Sequence, residues 1–396
     1  MVKLNPALLR YLGEEDFRVL VAIELCMRNH QIVPTALIGQ VAKLPRGGVE
    51  KRIGEILRCE LIHRDRSCYE GYTLKYSGYD YLALHTFVSR SVLFSFGHAV
   101  ACGKESDVYL ASDFDGNVLI VKLERLGRCS FRSVVRNRSY LTRNKRGGAS
   151  WFYLSRLAAL REFSFMKVLY DEGFRVPKPI DHNRHAIVME KINGTSLCHT
   201  HELRDPSKTF HECLDLIVKF AESSLIHCDF NEYNLIMTED TEEVVVIDFP
   251  QMISTKHPNA ASYFERDVQC VHTFFERRFG LTFDRFPVLA EIEQKSDIYN
   301  AVMKGDWRSE HEHDFFELMG NLSNEDDGEA DDDDQGQAGQ LNTEETKKES
   351  HTIIRELDTV KDALSSLVID QNEVRRKLKK EKRKENMKNI RKSIRN

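Results

Sequence analysis

Two short apolar runs about an acidic turn stand out along the chain. Leu235-Ile236-Met237 and Val244-Val245-Val246-Ile247 predict a β-hairpin within Ile226–Phe249. Further upstream, Val118–Leu123 and Ala186–Glu190 read as strands, and Leu157–Tyr170 as a helix with an apolar face. Nearer the N-terminus, Leu20, Ile23, Glu24 and Met27 define one face of a helix over Asp16–Asn29, with Asp16 as its cap. Pro34 can open a second helix, and Pro45–Gly48 is a turn. Val49–Cys59 is a third helix that buries Ile53, Ile56 and Leu57. Leu61–His63 and Tyr69–Tyr76 then alternate as two strands joined by the polar turn Arg64–Cys68. This order predicts a winged helix-turn-helix over residues 1–90. Later come a helix over Ala260–Phe279 and another within Val288–Met303. The fold class expected is α+β.

Composition narrows the setting. The chain has 396 residues, 41% of them hydrophobic and 30% charged, enough for two to three domains. No run approaches a membrane-spanning length, no signal-peptide pattern opens the chain, and no membrane partner is expected. Nine cysteines without a CxxC pattern point to reduced thiols. Cys198, His199, His201, His211 and Cys213 match no common zinc spacing and read as a helix–loop segment. The net charge of -5 conceals blocks of opposite sign: an acidic, low-complexity stretch over 324–340 and a strongly basic one over 375–395. Helical spacing returns between them over Ile354–Val368. Residues 281–322 read as a C-terminal extension and 323–396 as a low-complexity tail.

The candidate chemistry gathers at the hairpin. Asp229 can take a proton or orient a nucleophile. The amide oxygen of Asn234 and the carboxylate of Asp248 suit Mg²⁺, a hard ion that completes its shell with water and phosphates. HxD, then N, then a hairpin ending in D is the order of a kinase-like phosphotransfer site. The small residues of Gly97–Tyr109 suggest a phosphate loop, with positive φ available at Gly103 and a hydroxyl donor at Ser106. Lys122 ends the Val118–Leu123 strand, and Glu162 lies beside the buried face of the following helix as its partner. Met189 backs an adenine pocket, with the Glu190 carbonyl and Ile192 amide facing the base. Arg125–Ser150 reads as a basic insertion above the pocket that could touch RNA or phosphate. The third helix and the wing, with Arg46, Lys51, Arg52, Arg58, Arg64 and Arg66, read first as a nucleic-acid face, for RNA in particular, with protein docking or packing on the next domain as the alternative.

Taken together, GKESDVY, VKLERLGRCSFR, EFSFMKVLYDEGFRVPKPID, MEKINGTSL, HCDFNEYNL and VIDFPQM resemble the RIO family of atypical protein kinases. The preceding winged helix is similar to that of the second RIO subfamily. The resemblance covers residues 1 to about 280 and implies a two-lobed kinase domain over 91–280. It implies an ATP- and Mg²⁺-dependent serine/threonine kinase and ATPase. In that reading Asp229 is catalytic, Lys122 and Glu162 form the phosphate-positioning pair, and Asn234 and Asp248 bind metal. Lys104, Ser106, Met189, Glu190 and Ile192 then contact nucleotide. The resemblance further implies a switch in maturation of the small ribosomal subunit, monomeric on its own. Its partners are the pre-40S particle, its rRNA and ribosomal proteins, and its place is the cytoplasm with passage through the nucleus. A non-catalytic assembly factor with a structural nucleotide site is the alternative. Two departures from the subfamily are Ala101-Cys102 in the phosphate loop and Cys228 where HGD is usual. Pro250 follows Asp248-Phe249, and no long activation segment precedes the helix at Ala260.

Overall fold

The computed structural model describes residues 4–27, 29–66, 69–126, 151–282 and 285–305. The basic insertion beyond Leu126 and the three tail segments expected over 324–395 lie outside the described residues.

The N-terminal module begins with α1 (Pro6–Tyr11) and α2 (Glu14–Cys26). Asp16 does not cap α2. Gly13 is the N-cap, and Asp16 Oδ2 accepts the Gly13 amide at 2.9 Å from within the first turn, where the helix dipole favours an acid. α3 (Thr35–Ala42) follows Pro34. α4 (Arg46–Arg58) starts at Arg46 rather than Val49, because Pro45 is the cap and the two glycines enter the first turn. β1 (Ile62–Asp65) and β2 (Gly71–Leu74) pair antiparallel as the wing. Next comes α5 (Tyr76–Ser89), which sequence periodicity does not mark. The helix buries Tyr79, Tyr81, Leu82, Ala83, Leu84 and Phe87, so it is apolar nearly all round and shows no single stripe.

A five-stranded antiparallel sheet comes next: β3 (Ser95–Cys102), β4 (Ser106–Ser112), β5 (Val118–Glu124), β6 (Pro179–Asn183) and β7 (Ala186–Glu190), in the order β3-β4-β5-β7-β6. α6 (Trp151–Asp171) lies in sequence between β5 and β6. Both faces of the sheet are covered. Leu119, Val121 and Leu123 of β5 join Ala186 and Val188 of β7 in one core with the winged helix. Ile187 and Met189 point the other way, into a core shared with α6 and the second lobe, and Ile120 packs against that core. Period-two alternation therefore assigns each β5 side chain to one of two cores. It also puts Lys122 and Glu124 on the α6 side.

The second lobe holds β8 (Gly194–Ser196), α7 (Pro206–Glu222), β9 (Leu225–Ile226), β10 (Leu235–Thr238), β11 (Val244–Val246), β12 (Ile253–Ser254) and α8 (Ala260–Phe279). β10 and β11 form the expected hairpin, and β8 adds to its other edge. Only glycine fits at 194, since a Cβ there would lie 2.2 Å from the Met237 carbonyl. α8 ends at Gly280, whose left-handed φ of 68° closes the helix. The helix expected within Val288–Met303 is shorter. A 3₁₀ turn covers Leu289–Glu291, and α9 (Ile298–Lys304) starts only where Asp297 caps it.

Candidate active site

Residues from both lobes meet at one amine. Lys122 Nζ lies 2.8 and 2.7 Å from the two oxygens of Glu162 on α6. It also lies 2.7 Å from Asp248 Oδ1 and 3.3 Å from Glu124 Oε1. Burial alone would lower the lysine's pKa, but the charges of Asp248, Glu124 and Glu162 outweigh it and hold the ammonium well above its ordinary value. Glu162 and Glu124 move upward as well, first from burial, with Lys122 opposing. Glu124 is the residue that the sequence reading missed here. Its signal was position alone, two residues beyond Lys122 on the same face of β5.

The hairpin sets the other groups. Asn234 lies at the foot of β10, and its carbonyl accepts the Ile247 amide at 3.0 Å, so it sits opposite the residue before Asp248. The Asn234 amide nitrogen donates to the Asp229 carbonyl at 3.0 Å and to Asp229 Oδ2 at 3.2 Å. Asn231 Nδ2 donates to Asp229 Oδ1 at 2.9 Å, and Gln251 Nε2 to Oδ2 at 3.3 Å. Three amides thus orient one carboxylate. Because the Asn234 nitrogen is committed to Asp229, its side-chain oxygen is the atom that could donate to a cation. With the partly exposed Asp248 carboxylate it makes a hard-oxygen pair at one end of the hairpin, a donor set that fits Mg²⁺. Among the described residues no group of three or more His, Cys, Asp or Glu is arranged to hold a metal by itself. Most of the ion's shell would then come from phosphate and water, as is usual for Mg²⁺.

Backbone conformation at this site is unusual. Cys228 has φ 67° and Asp248 φ 72°, both left-handed. Asp267 of α8 holds the first of these turns, accepting the amides of Cys228 at 2.8 Å and Phe230 at 3.2 Å. Burial lifts the Asp267 carboxyl to about 7 against those two bonds. Arg161, fully buried on α6, holds the second. Its Nε donates to the Pro250 carbonyl at 2.9 Å and its Nη2 to that of Met252 at 2.6 Å. Adjacent residues of α6, Arg161 and Glu162, thus secure the chain after Asp248 and the lysine before it.

The phosphate-loop residues lie across the sheet from this cluster. Most of Gly97–Tyr109 is strand, and the turn is confined to residues 103–105. Gly103 does not use positive φ; its amide donates to the Ser106 carbonyl at 2.8 Å to close the turn. Ser106 pairs with Glu124 and Val108 with Lys122, so the turn overhangs the lysine's end of β5. Lys104 is exposed at its tip. Residues 191–193 connect β7 to β8. Met189 is buried and pairs with Ile120, while Glu190 is anchored through its amide to the Lys178 carbonyl at 3.0 Å. Ile192, in the connector, is half-buried.

On the winged helix, the basic groups are partly spoken for. Arg52 pairs with Glu15 at 2.9 Å, Arg58 with Glu55 at 2.6 Å and Arg64 with Glu70. Lys51 and Arg66 are exposed.

Residues 9–90 match the Rio2 N-terminal domain, and residues 107–286 match the RIO domain. A relative from Schizosaccharomyces pombe, serine/threonine-protein kinase rio2, is 48% identical over 301 residues, which is 75% of this chain and 87% of that one. The chain belongs to the RIO family of serine/threonine-protein kinases. Within the RIO family it falls in the Rio2 branch, with a winged helix ahead of the kinase fold. Serine/threonine-protein kinase rio2 of Dictyostelium discoideum is 46% identical over 317 residues, and the chain spans 60% of that relative's length. The Rio2 kinase of Chaetomium thermophilum, crystallised as an ADP/Mg²⁺-phosphoaspartate complex, superimposes with a TM-score of 0.71 at 39% identity. That match covers 82% of this chain and 100% of the fungal one.

Proposed function

We propose that this RIO protein is a Mg²⁺-ATP-dependent serine/threonine kinase and ATPase that serves as a switch in maturation of the small (40S) ribosomal subunit. The observation that carries the enzymatic part is the single ammonium of Lys122, held at once by Glu162 of the first lobe and Asp248 of the second. Phosphoryl transfer is mostly positioning and charge neutralisation, and this geometry supplies both. Lys122 would neutralise α- and β-phosphate charge, with Lys104 and Ser106 at the overhanging turn. Asn234 and Asp248 would hold Mg²⁺, which would supply positive charge to offset that of the phosphates. Met189, Glu190 and Ile192 would frame the base. Asp229, fixed by its three amides, would orient the attacking hydroxyl or water and take its proton.

The second lobe favours the switch reading over broad peptide phosphorylation. Between Asp248 and α8 the chain forms only turns and the two-residue β12. That stretch offers little with which to grip a peptide. The fungal Rio2 complex contains a phosphoaspartate, in keeping with phosphoryl transfer to an acid, and Asp248 is the candidate acceptor here. The winged helix and the blocks of opposite charge toward the C-terminus suit a particle of rRNA and basic proteins. In this reading the protein is monomeric alone and cytoplasmic, passing through the nucleus.

Asp229→Ala tests the enzymatic claim. ATP affinity should stay within a few-fold while turnover falls by about 10²–10⁴. Unchanged turnover would remove Asp229 from the catalytic role, whereas lost turnover with full support of subunit maturation in cells would favour the non-catalytic assembly factor. Sequencing RNA crosslinked to the protein in cells tests the ribosomal partner; absence of small-subunit precursor RNA would remove it.

A further inference from the structure

The phosphate turn is tied to the winged helix by buried charge. The Gly103 amide donates to the Ser106 carbonyl to close it, and its side chains face solvent or are half-buried. The strand that leads into it is irregular, with register shifts on both sides of Ala99. A buried contact holds it from beneath. Asp107, the second residue of β4, has Oδ1 at 2.7 Å from Cys102 Sγ on the opposite arm, and its Oδ2 accepts Arg125 Nε at 2.9 Å. The Arg125 main-chain amide donates to the Glu105 carbonyl, inside the turn, at 2.5 Å. One residue, Arg125, thus holds the turn through both its backbone and its side chain.

The far end of that guanidinium is gripped by the N-terminal module. Arg125 Nη1 and Nη2 reach the two oxygens of Asp80 on α5 at 2.5 and 2.9 Å. His185 Nε2 lies 2.8 Å from the same carboxylate, and its ring stacks on Tyr79 at 4.7 Å. Asp80, Asp107, Arg125 and His185 are all buried. A two-pronged guanidinium–carboxylate pair fixes direction as well as distance. If the Asp80 charge is removed, Arg125 loses its only bidentate acceptor among these contacts, and the fork is released to rotate away from Asp107.

We propose that Asp80, on the last helix of the winged-helix module, is a positioning residue for the phosphate turn, acting through Arg125 and Asp107. The proposal rests on the reading of residues 103–106 as phosphate-contacting. Nucleotide affinity then depends on the seating of α5, and by reciprocity a bound nucleotide steadies α5.

The test uses the full chain and compares Asp80→Asn with Ile38→Ala, a cavity in the winged-helix core remote in sequence from the network. ATP KM, kcat, the Kd of Mg·ADP and thermal midpoints are measured for each. Asp80→Asn should raise KM and Kd by about five-fold or more, with kcat within about two-fold of wild type. Ile38→Ala, at an equal or larger loss of thermal midpoint, should leave KM and Kd unchanged. Equal shifts in the two variants, or none in Asp80→Asn, overturn the proposal. Should Asp80→Asn fail to fold, Arg125→Lys keeps a charge for Asp80 but lacks the second prong, and the same rise in KM is required of it. Failure of the wild type to bind nucleotide would instead refute the underlying reading of the site.

Discussion

Lys122 and Asp248, 126 residues apart in sequence, meet at 2.7 Å between Nζ and Oδ1. With Glu162 and Glu124 also at hand, three carboxylates surround one ammonium. Burial raises the pKa of Glu124 and Glu162, so Asp248, the most exposed of the three, is the carboxylate placed to meet a divalent cation. Replacing Asp248 with alanine should therefore abolish Mg·ATP turnover, by roughly 10³-fold or more, the scale of lost preorganised charge stabilisation. It should also loosen the Mg²⁺ requirement for binding. Near-normal hydrolysis by Asp248→Ala would reject the metal assignment.

Cys228 holds a left-handed φ of 67° with its side chain buried. A Cβ in that region costs about 1–2 kcal/mol, which glycine avoids. Glycine gives back a similar amount through lost thiol burial and a freer unfolded chain. Cys228→Gly should thus unfold within about 1 kcal/mol of wild type. A β-branched valine has no such compensation and should cost about 2 kcal/mol or more. Urea melts of both variants check this, and a tolerated valine would contradict the strained turn.

Arg161 offers its guanidinium to two main-chain carbonyls, those of Pro250 and Met252. In Arg161→Met these buried acceptors lose their donors, at about 1–3 kcal/mol each. The amide of Met252, bonded to the Phe249 carbonyl, should then exchange faster with deuterium, while β11 remains protected. Arg161→Lys should recover part of the protection. Uniform loss over the whole lobe would argue against a local clamp.

His227 lies among Phe220, Phe230 and Phe249, with ring centroids 6.1, 5.6 and 5.8 Å away. Burial pushes its pKa from 6.5 to about 4, against the weaker upward pull of Asp248 and the Ile247 backbone. The folded value lies below the unfolded one, so this stabilisation is complete above pH 6.5 and is lost as pH falls toward 4. Between pH 7.5 and 5 the loss is about 2 kcal/mol. Asp267, raised to about 7, acts in the opposite sense, its contribution being lost as pH rises through 7. The stability difference between wild type and His227→Phe, followed by denaturant melts over that range, isolates the histidine. A gap that does not change with pH would mean that the ring is already charged or is not buried.

Much of the architecture was legible in the chain. The hairpin, the wing, β5 and the helix over Ala260–Phe279 follow from periodicity, because each has one buried face or a short buried run. α5 was not legible, because a helix enclosed on all sides has no stripe. The meeting of Lys122 with Glu162 and Asp248, and of Asn234 with Asp229, was expected from their order along the chain. Glu124, Arg161, Gln251 and Asp267 were not, since their roles depend on which neighbour folds over them. Arg125 was taken as the start of a basic insertion, yet it is a buried tie to Asp80 and Asp107. A cationic side chain at a strand end gives no hint that two acids from elsewhere will enclose it.

The two-sided sheet has a consequence for how this protein can vary. Each step along β5 alternates between the layer under α5 and the layer over α6. Inserting or deleting one residue within 118–124 would drive an ammonium into oil and present Val121 to the carboxylates of Glu162 and Asp248. Length changes should accumulate instead in the hairpin tip at 113–117, where Gly116 turns the chain in open space. Within β5 the register can therefore move only in steps of two, and the tip ahead of it absorbs every other change in length.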